Sequence, residues 1–230
     1  MASTSLNKYI LDRVLFTLFG TMLFMAYSNF RLRQYYSIAD HSAFDLTTSS
    51  FHLNCTYDVF PSFHGADVRR GFLSHVLKEF KREAIDTFVD NNIERGKSIG
   101  PRFIKSIRGS KIAIVLLSRN YASSTWCLNE LAEIMSCRKE LGLIVMVIFY
   151  EVDPSDVKKL TGHFGKVFRK TCAGKIKDDI VRWRQALAKV ATIAGYHSTN
   201  WLNEAAMIEQ IANDISHKLN KFTGPSSETP

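Results

Sequence analysis

Leu143-Ile144-Val145-Met146-Val147-Ile148-Phe149-Tyr150 decides the fold. A strand with one wet face alternates apolar and polar residues, whereas a run that is apolar at nearly every position has both faces covered. Covered strands belong to parallel sheets with helices on either side. Upstream, residues 112–117 (IAIVLL) have the same character, and the 121–140 stretch between the two runs is long enough for a crossover helix. The pattern recurs along the chain. Residues 57–60 precede an amphipathic stretch at 67–80, residues 85–89 precede one at 99–108, and two or three further helices follow residue 150. Strands separated by helix-length segments pair in parallel through right-handed crossovers, so the expected fold is an α/β doubly wound sheet.

Helical spacing supports this division. Phe72, Leu73, Val76, Leu77 and Phe80 form one stripe, and Asp67 near the start of that helix suits the positive end of its dipole. In 121–140, Leu128, Leu131, Ala132 and Met135 gather on one side, which leaves Trp126, Glu130 and Glu133 on the other. Glu130 is therefore expected on the exposed face. Ile180, Trp183, Leu187, Val190 and Ala194 recur at helical intervals, and Gly195 reads as a left-handed cap. A last helix spans roughly 203–219, and 221–230 reads as a disordered tail.

Composition sets outer limits. The chain has 230 residues, 46% of them hydrophobic, which accommodates one ordinary domain with a core plus an appendage and excludes wholesale disorder. Net charge is +8, a balance that suits nucleic acid, an acidic membrane surface or a phosphate-bearing ligand. The charges read as scattered along polar faces, so no specific nucleic acid is predicted. Cys55, Cys127, Cys137 and Cys172 have neither metal-ligand spacing nor a dense disulfide framework, and they read as reduced thiols.

The N-terminus differs in kind. Val14 to Phe30 (VLFTLFGTMLFMAYSNF) carries no charge and is flanked by Lys8, Asp12 and Arg13 on one side and Arg31 and Arg33 on the other. Its length only just reaches the roughly 17 residues that a spanning helix requires. Residues 1–33 are expected to be a membrane signal anchor, with a cleaved signal peptide and a buried or interfacial helix as alternatives. The lysines and arginines balance across the segment, so the positive-inside rule does not orient it. Residues 34–54 are polar and aperiodic and read as a linker.

Four ordered blocks carry a resemblance. They are Tyr57-Asp58-Val59-Phe60-Pro61-Ser62-Phe63-His64-Gly65, then Asp86-Thr87-Phe88-Val89-Asp90 through Glu94-Arg95-Gly96-Lys97, then residues 118–131 (SRNYASSTWCLNEL), then Phe149-Tyr150-Glu151-Val152-Asp153-Pro154-Ser155-Asp156-Val157. Together they resemble a plant TIR (Toll/interleukin-1 receptor) domain over residues 55–220, and most of all the TIR domains of downy-mildew resistance receptors. The nucleotide-binding and leucine-rich-repeat regions that follow in such receptors are absent here, so the likeness is to a TIR-only relative.

The resemblance implies a flavodoxin-like five-stranded parallel sheet of order 2-1-3-4-5, with its ligand crevice at the carboxyl ends of the strands. It also implies an NAD+ nucleosidase, activated by TIR self-association, that acts in plant immune signalling and cell death. NAD+ or NADP+ is then substrate, with no cofactor and no metal. The family's catalytic glutamate falls on Glu130. Its substrate contacts fall on Phe63, His64, Gly65, Arg69, Asp90, Ser124 and Trp126, with residues 91–97 as a mobile loop that closes the site. Its symmetric self-association surface falls on Ser74 and His75, and other TIR-type receptors are the implied partners. The domain would face the cytosol from an intracellular membrane or lie in the cytoplasm, or in the nucleus if the anchor is unused. The alternative function is a catalytically weak or inactive TIR adaptor.

The chemistry stands on the residues as well. Glu130 lies one helical turn beyond an indole, just past a buried strand, which suits cleavage of a glycosidic bond in a nucleotide. Each residue also has a plainer reading: Glu130 as an exposed helix glutamate, Trp126 as an anchor, Ser124 as a helix cap, Asp90 as a turn residue, and Arg69 as a surface partner of Asp67 or Glu83. Two departures from the family pattern matter. Pro61 cannot donate to a central ladder and is expected to mark the end of the first strand, and His64 replaces an arginine whose charge and bidentate reach imidazole lacks. An aspartate phospho-acceptor of the same topology is disfavoured, because the sequence lacks clustered acids to hold magnesium.

Overall fold

A computed structural model describes residues 55–89 and 100–223. The expectations for 1–54, for Asp90, for the 91–97 loop and for 224–230 lie outside the described residues.

Four parallel strands, β1 (Tyr57–Phe63), β2 (Ser110–Leu117), β3 (Ile144–Phe149) and β4 (Tyr196–His197), form a sheet in the order β1-β2-β3-β4. The helices are α1 (Gly65–Val68), α2 (Phe72–Arg82), α3 (Pro101–Arg108), α4 (Thr125–Glu140), α5 (Pro154–Lys159), α6 (Gly162–Cys172), α7 (Lys177–Val190) and α8 (Glu204–Thr223). The run expected as a strand at 85–89 makes a single parallel bridge, Val59 to Thr87, at the free edge of β1. Counted as an edge, it completes the expected order 2-1-3-4-5. Its pairing is short because Ala84 turns the chain at a φ of 55°, and the carbonyl of Asp86 accepts from both Asp58 and Val59, which halts a regular ladder.

β2 shows why the sheet needs helices on both sides. Ala113, Val115 and Leu117 point into one core with Val145, Val147 and Phe149, while Ile112, Ile114 and Leu116 point into the other with Met146 and Ile148. The first core is closed by residues of α3 to α7, among them Ile107, Leu131, Phe168 and Trp183; the second by α2 and α8, through Phe72, Val76, Phe80, Ile211 and Ile215. Period-two alternation thus sorts one strand between two cores.

Four local expectations are corrected. Pro61 lies inside β1, which pairs with β2 for two residues beyond it. The N–H and C=O of Val59 both face the 86–88 segment, and Pro61, two residues on, faces the same side after that pairing has ended, so its missing donor leaves no ladder bond unmade. The helix expected over 67–80 is broken into α1 and α2. Gly195 is not a left-handed cap, since α7 ends at Val190 and the positive-φ glycines among the described residues are Gly142, Gly162 and Gly174. A Cβ at Gly195 would lie 2.4 Å from the carbonyl oxygen of Val147, so its role is close backbone approach to β3. Lastly, α8 runs to Thr223, beyond the expected start of the tail.

Candidate active site

β1 ends at the crevice with Phe60 and Ser62 facing the core under α4, and α4 begins immediately after a 3₁₀ turn at Tyr121–Ser123. Ser124 is the N-cap of α4, its Oγ accepting from the Cys127 amide at 3.3 Å. One turn inward, the Cys127 thiol donates to the Phe63 carbonyl at 3.3 Å, which pins the end of β1 to the first turn of α4.

Glu130 is not on an exposed face. It is 5% exposed, and both of its oxygens are engaged: Ser62 Oγ donates to Oε2 at 2.7 Å, and Trp126 Nε1 donates to Oε1 at 2.6 Å. Burial pushes the Glu130 pKa up to about 7, although the Ser62 and Trp126 bonds pull it down. The hydroxyls behind Glu130 can serve either protonation state. Tyr121, fully buried, has its hydroxyl 2.8 Å from Ser62 Oγ and 3.0 Å from the Cys127 carbonyl. With Glu130 ionised, Ser62 spends its proton on the carboxylate and Tyr121 has one proton for two acceptors. With Glu130 protonated, a single relay from Glu130 through Ser62 and Tyr121 to the Cys127 carbonyl uses every hydroxyl proton. Phe103 from α3 meets the Trp126 ring edge-on, 4.8 Å between centroids, and holds the indole over the carboxylate.

A second cluster stands beside it. Asp67 accepts from Ser118 Oγ at 2.6 Å and from the backbone and side chain of Asn120 at 2.8 and 3.0 Å. Burial opposes ionisation here too, but the Ser118, Asn120 and His64 contacts outweigh it and hold the carboxyl below its ordinary pKa. His64 Nδ1 lies 3.1 Å from Asp67 Oδ1 without hydrogen-bond direction, and its Nε2 lies 3.2 Å from Ser123 Oγ. His163 Nε2, 3.1 Å from the Asn120 side-chain oxygen, extends the cluster onto α6. Arg69 is not the partner of Asp67 or Glu83. Its exposed guanidinium sits 5.0 Å from the centroid of the Phe63 ring, with Gly65 beneath it.

The structure therefore brings Glu130 and Trp126 into contact and gathers Phe63, His64, Gly65 and Arg69 at the adjoining strand end. Ser124 is engaged as a cap. Ser74 and His75 are exposed on α2, across the sheet from α4. Glu133, expected on the side of α4 away from its apolar stripe, pairs with Arg108 at 2.8 Å and ties α4 to α3. Among the described residues no group of three or more His, Cys, Asp or Glu is arranged to hold a metal ion. Sequence reasoning missed Ser62 and Tyr121. The signal for Ser62 was its parity with Phe60, which puts a hydroxyl on a core-facing strand position that demands a partner.

A parallel sheet with a carboxylate and an indole at its carboxyl edge defines an α/β protein whose candidate site is the crevice at that edge. The TIR domain family profile matches residues 56–229, and the chain belongs to that family. It is similar to the probable disease resistance protein RPP1 of Arabidopsis thaliana, 62% identical over 86% of this chain and 17% of that protein. It is likewise similar to the disease resistance protein TAO1 of the same plant, 53% identical over 89% of this chain and 17% of that one. The chain thus spans about one sixth of the length of these curated relatives. Among solved structures, the TIR domains of the activated Roq1 resistosome, which directly recognises the pathogen effector XopQ, share 42% identity. That match covers 70% of this chain and 99% of the other, with a TM-score of 0.64.

Proposed function

We propose that this TIR domain cleaves NAD+ at the bond between nicotinamide and ribose when copies of it assemble, as part of plant defence. Products are nicotinamide and ADP-ribose or a variant of it. The observation that carries this reading is the Glu130 carboxyl, buried at the crevice with one indole and one hydroxyl on its two oxygens. An alkoxide leaving group needs a protonated partner, which is why oxygen glycosidases employ two carboxylates. Nicotinamide departs neutral from a pyridinium, so one carboxylate suffices. Ionised Glu130 stabilises positive charge growing at the anomeric carbon and holds the ribose hydroxyls, while water or another hydroxyl accepts the sugar. A ribose hydroxyl replaces the Trp126 donor at Oε1, which frees the indole to stack on a ring. Arg69, exposed beside Phe63, meets the pyrophosphate, and His64, Gly65, Asp90 and Ser124 complete the contacts.

Assembly supplies the control. Ser74 and His75 are exposed on the surface of α2, where a second copy or another TIR receptor would meet them, and the Roq1 TIR domains belong to an assembled resistosome. The apolar run at 14–30 would hold the domain at an intracellular membrane, facing the cytosol where NAD+ resides; unused, it leaves the domain in cytoplasm or nucleus. Protease protection in sealed, cytosol-side-out vesicles would refute that orientation.

The second reading is an adaptor with weak or no turnover. His64 favours it, because an imidazole engaged with Asp67 and Ser123 does not clamp a phosphate as a guanidinium does. Product analysis of NAD+ incubated with the full chain, wild type against Glu130→Ala, separates the two. Absence of nicotinamide release even with the domains crowded on a surface selects the adaptor.

A further inference from the structure

Between Val157 and Lys177 the sequence holds seven lysines and arginines and no carboxylate, a block that departs from the scattered charge of the rest. The fold leaves the cations of this block exposed. In α6, Phe164 and Phe168 are buried, while Lys166, Arg169 and Lys170 share the opposite side and are exposed. Lys158 and Lys159, on α5 packed against α6, are exposed as well. None of these lysines makes an ion pair among the described residues. Arg169 donates only to the Leu160 carbonyl. The acids that flank the block in sequence are engaged or lie beyond it: Asp156 accepts from Thr161, Asp179 pairs with Arg182, and Asp178 stands at the first turn of α7. Between α6 and α7 comes Lys175-Ile176-Lys177, with the isoleucine 67% exposed between two exposed lysines.

We propose that this face, Lys158 to Lys177, docks on an anionic lipid surface. The charge is carried mostly by lysines, point charges on flexible stems that suit a diffuse layer of headgroups better than a fixed bidentate target. Ile176 is an apolar tip between two cations, placed to enter the interface while Lys175 and Lys177 stay among headgroups. Phe164 and Phe168, which are the Phe, Tyr and Trp residues of the block, are buried, so His163 is the one exposed ring it offers to nucleic-acid bases. A single weak membrane signal binds only marginally, and a polybasic face is the kind of second signal that makes attachment stable. The apolar run at residues 14–30 is a candidate first signal. This inference does not rest on the NAD+ reading.

The test is co-flotation of the full chain with vesicles of phosphatidylcholine alone and of phosphatidylcholine mixed with phosphatidylserine, across a salt series. Wild type partitions more strongly to the anionic vesicles, and salt removes the difference. Each of Lys166→Gln and Lys170→Gln lowers the anionic preference about fivefold, whereas Lys78→Gln and Lys81→Gln on α2, across the sheet, leave it unchanged. Trp fluorescence of Ile176→Trp shifts to the blue with anionic vesicles and not with duplex DNA. An equal partition to both vesicles, or an anionic preference that survives Lys166→Gln/Lys170→Gln, overturns the proposal. So does tight binding of duplex DNA that depends on the same lysines and displaces the vesicles, which would make the face a nucleic-acid surface.

Discussion

Glu130 and Asp67 stand at the same end of the sheet, both are largely withdrawn from water, and their environments drive them in opposite directions. Asp67 receives donors from Ser118 and twice from Asn120, with His64 in contact, and is held ionised. Glu130 receives two donors under deeper burial and is pushed up to about 7. Fully compensated, a buried carboxylate is an anchor; half compensated, it is poised to change its proton or its partner near neutrality. The first fixes α1, which follows β1, to the loop that follows β2. The second is the one to which the proposed chemistry is assigned.

The largest effect separates the two by activity. Glu130→Ala is expected to reduce nicotinamide release by about 10²-fold or more, measured by product analysis at equal degrees of assembly. If it consumes NAD+ as fast as wild type, the assignment of roles is wrong.

Next come opposite effects on stability. Asp67→Ala strips partners from Ser118 and Asn120 and is expected to cost about 2–4 kcal/mol in denaturant melts at pH 8. Glu130→Gln is expected to stabilise at the same pH. The folded chain keeps a proton on Glu130 that the unfolded chain gives up between its ordinary 4.5 and about 7, so stability falls as pH rises through that window and is level above it. Glutamine escapes that loss, worth at most about 3 kcal/mol, and the gain should close by pH 4 to 5. For Asp67 the sign is reversed: its contribution is present above the unfolded pKa and vanishes as pH falls through the lowered folded value.

Ser62→Ala should move the two residues further apart. Removing a donor to the ionised form raises the Glu130 pKa, and the pH profile of activity is expected to shift upward by about one unit. An unshifted profile with reduced activity would mean that Ser62 only packs. The surface test stands apart from this ranking, because lost assembly is expected to lower activity as much as Glu130→Ala does. A bulky or charged replacement of Ser74 and His75 lowers NAD+ loss in proportion to lost assembly, and full activity of that variant at every protein concentration would remove α2 from the assembly surface.

Much of the fold could be read from residue pattern. The runs at 112–117 and 143–150 are unambiguous because burial on both faces leaves no polar position to blur them. The 85–89 strand contracted to a bridge because edge pairing depends on where the neighbouring carbonyls point, which composition does not encode. Glu130 shows the same limit at the site. Counting apolar residues on α4 gave one stripe and assigned the glutamate to the other face, but Cys127, Leu128, Leu131, Ile134, Met135 and Cys137 are buried around much of this helix. A helix enclosed by a sheet, α3 and α7 has little free face, so periodicity cannot tell an outward carboxylate from an enclosed one. Its type and spacing were legible; its confinement, and the Ser62–Tyr121 relay behind it, were not.

The double greasiness of β2 has one last consequence. Sliding this strand by a single residue would exchange Ala113, Val115 and Leu117 for Ile112, Ile114 and Leu116 without sending one oily group into solvent, so hydrophobicity alone does not index it. What index it has comes from rivets at its tips: Lys111 to Asp58 at 2.7 Å where it enters, and Ser118 to Asp67 at 2.6 Å where it leaves. Alignment of the crevice is thus written at the two ends of the strand rather than along its length.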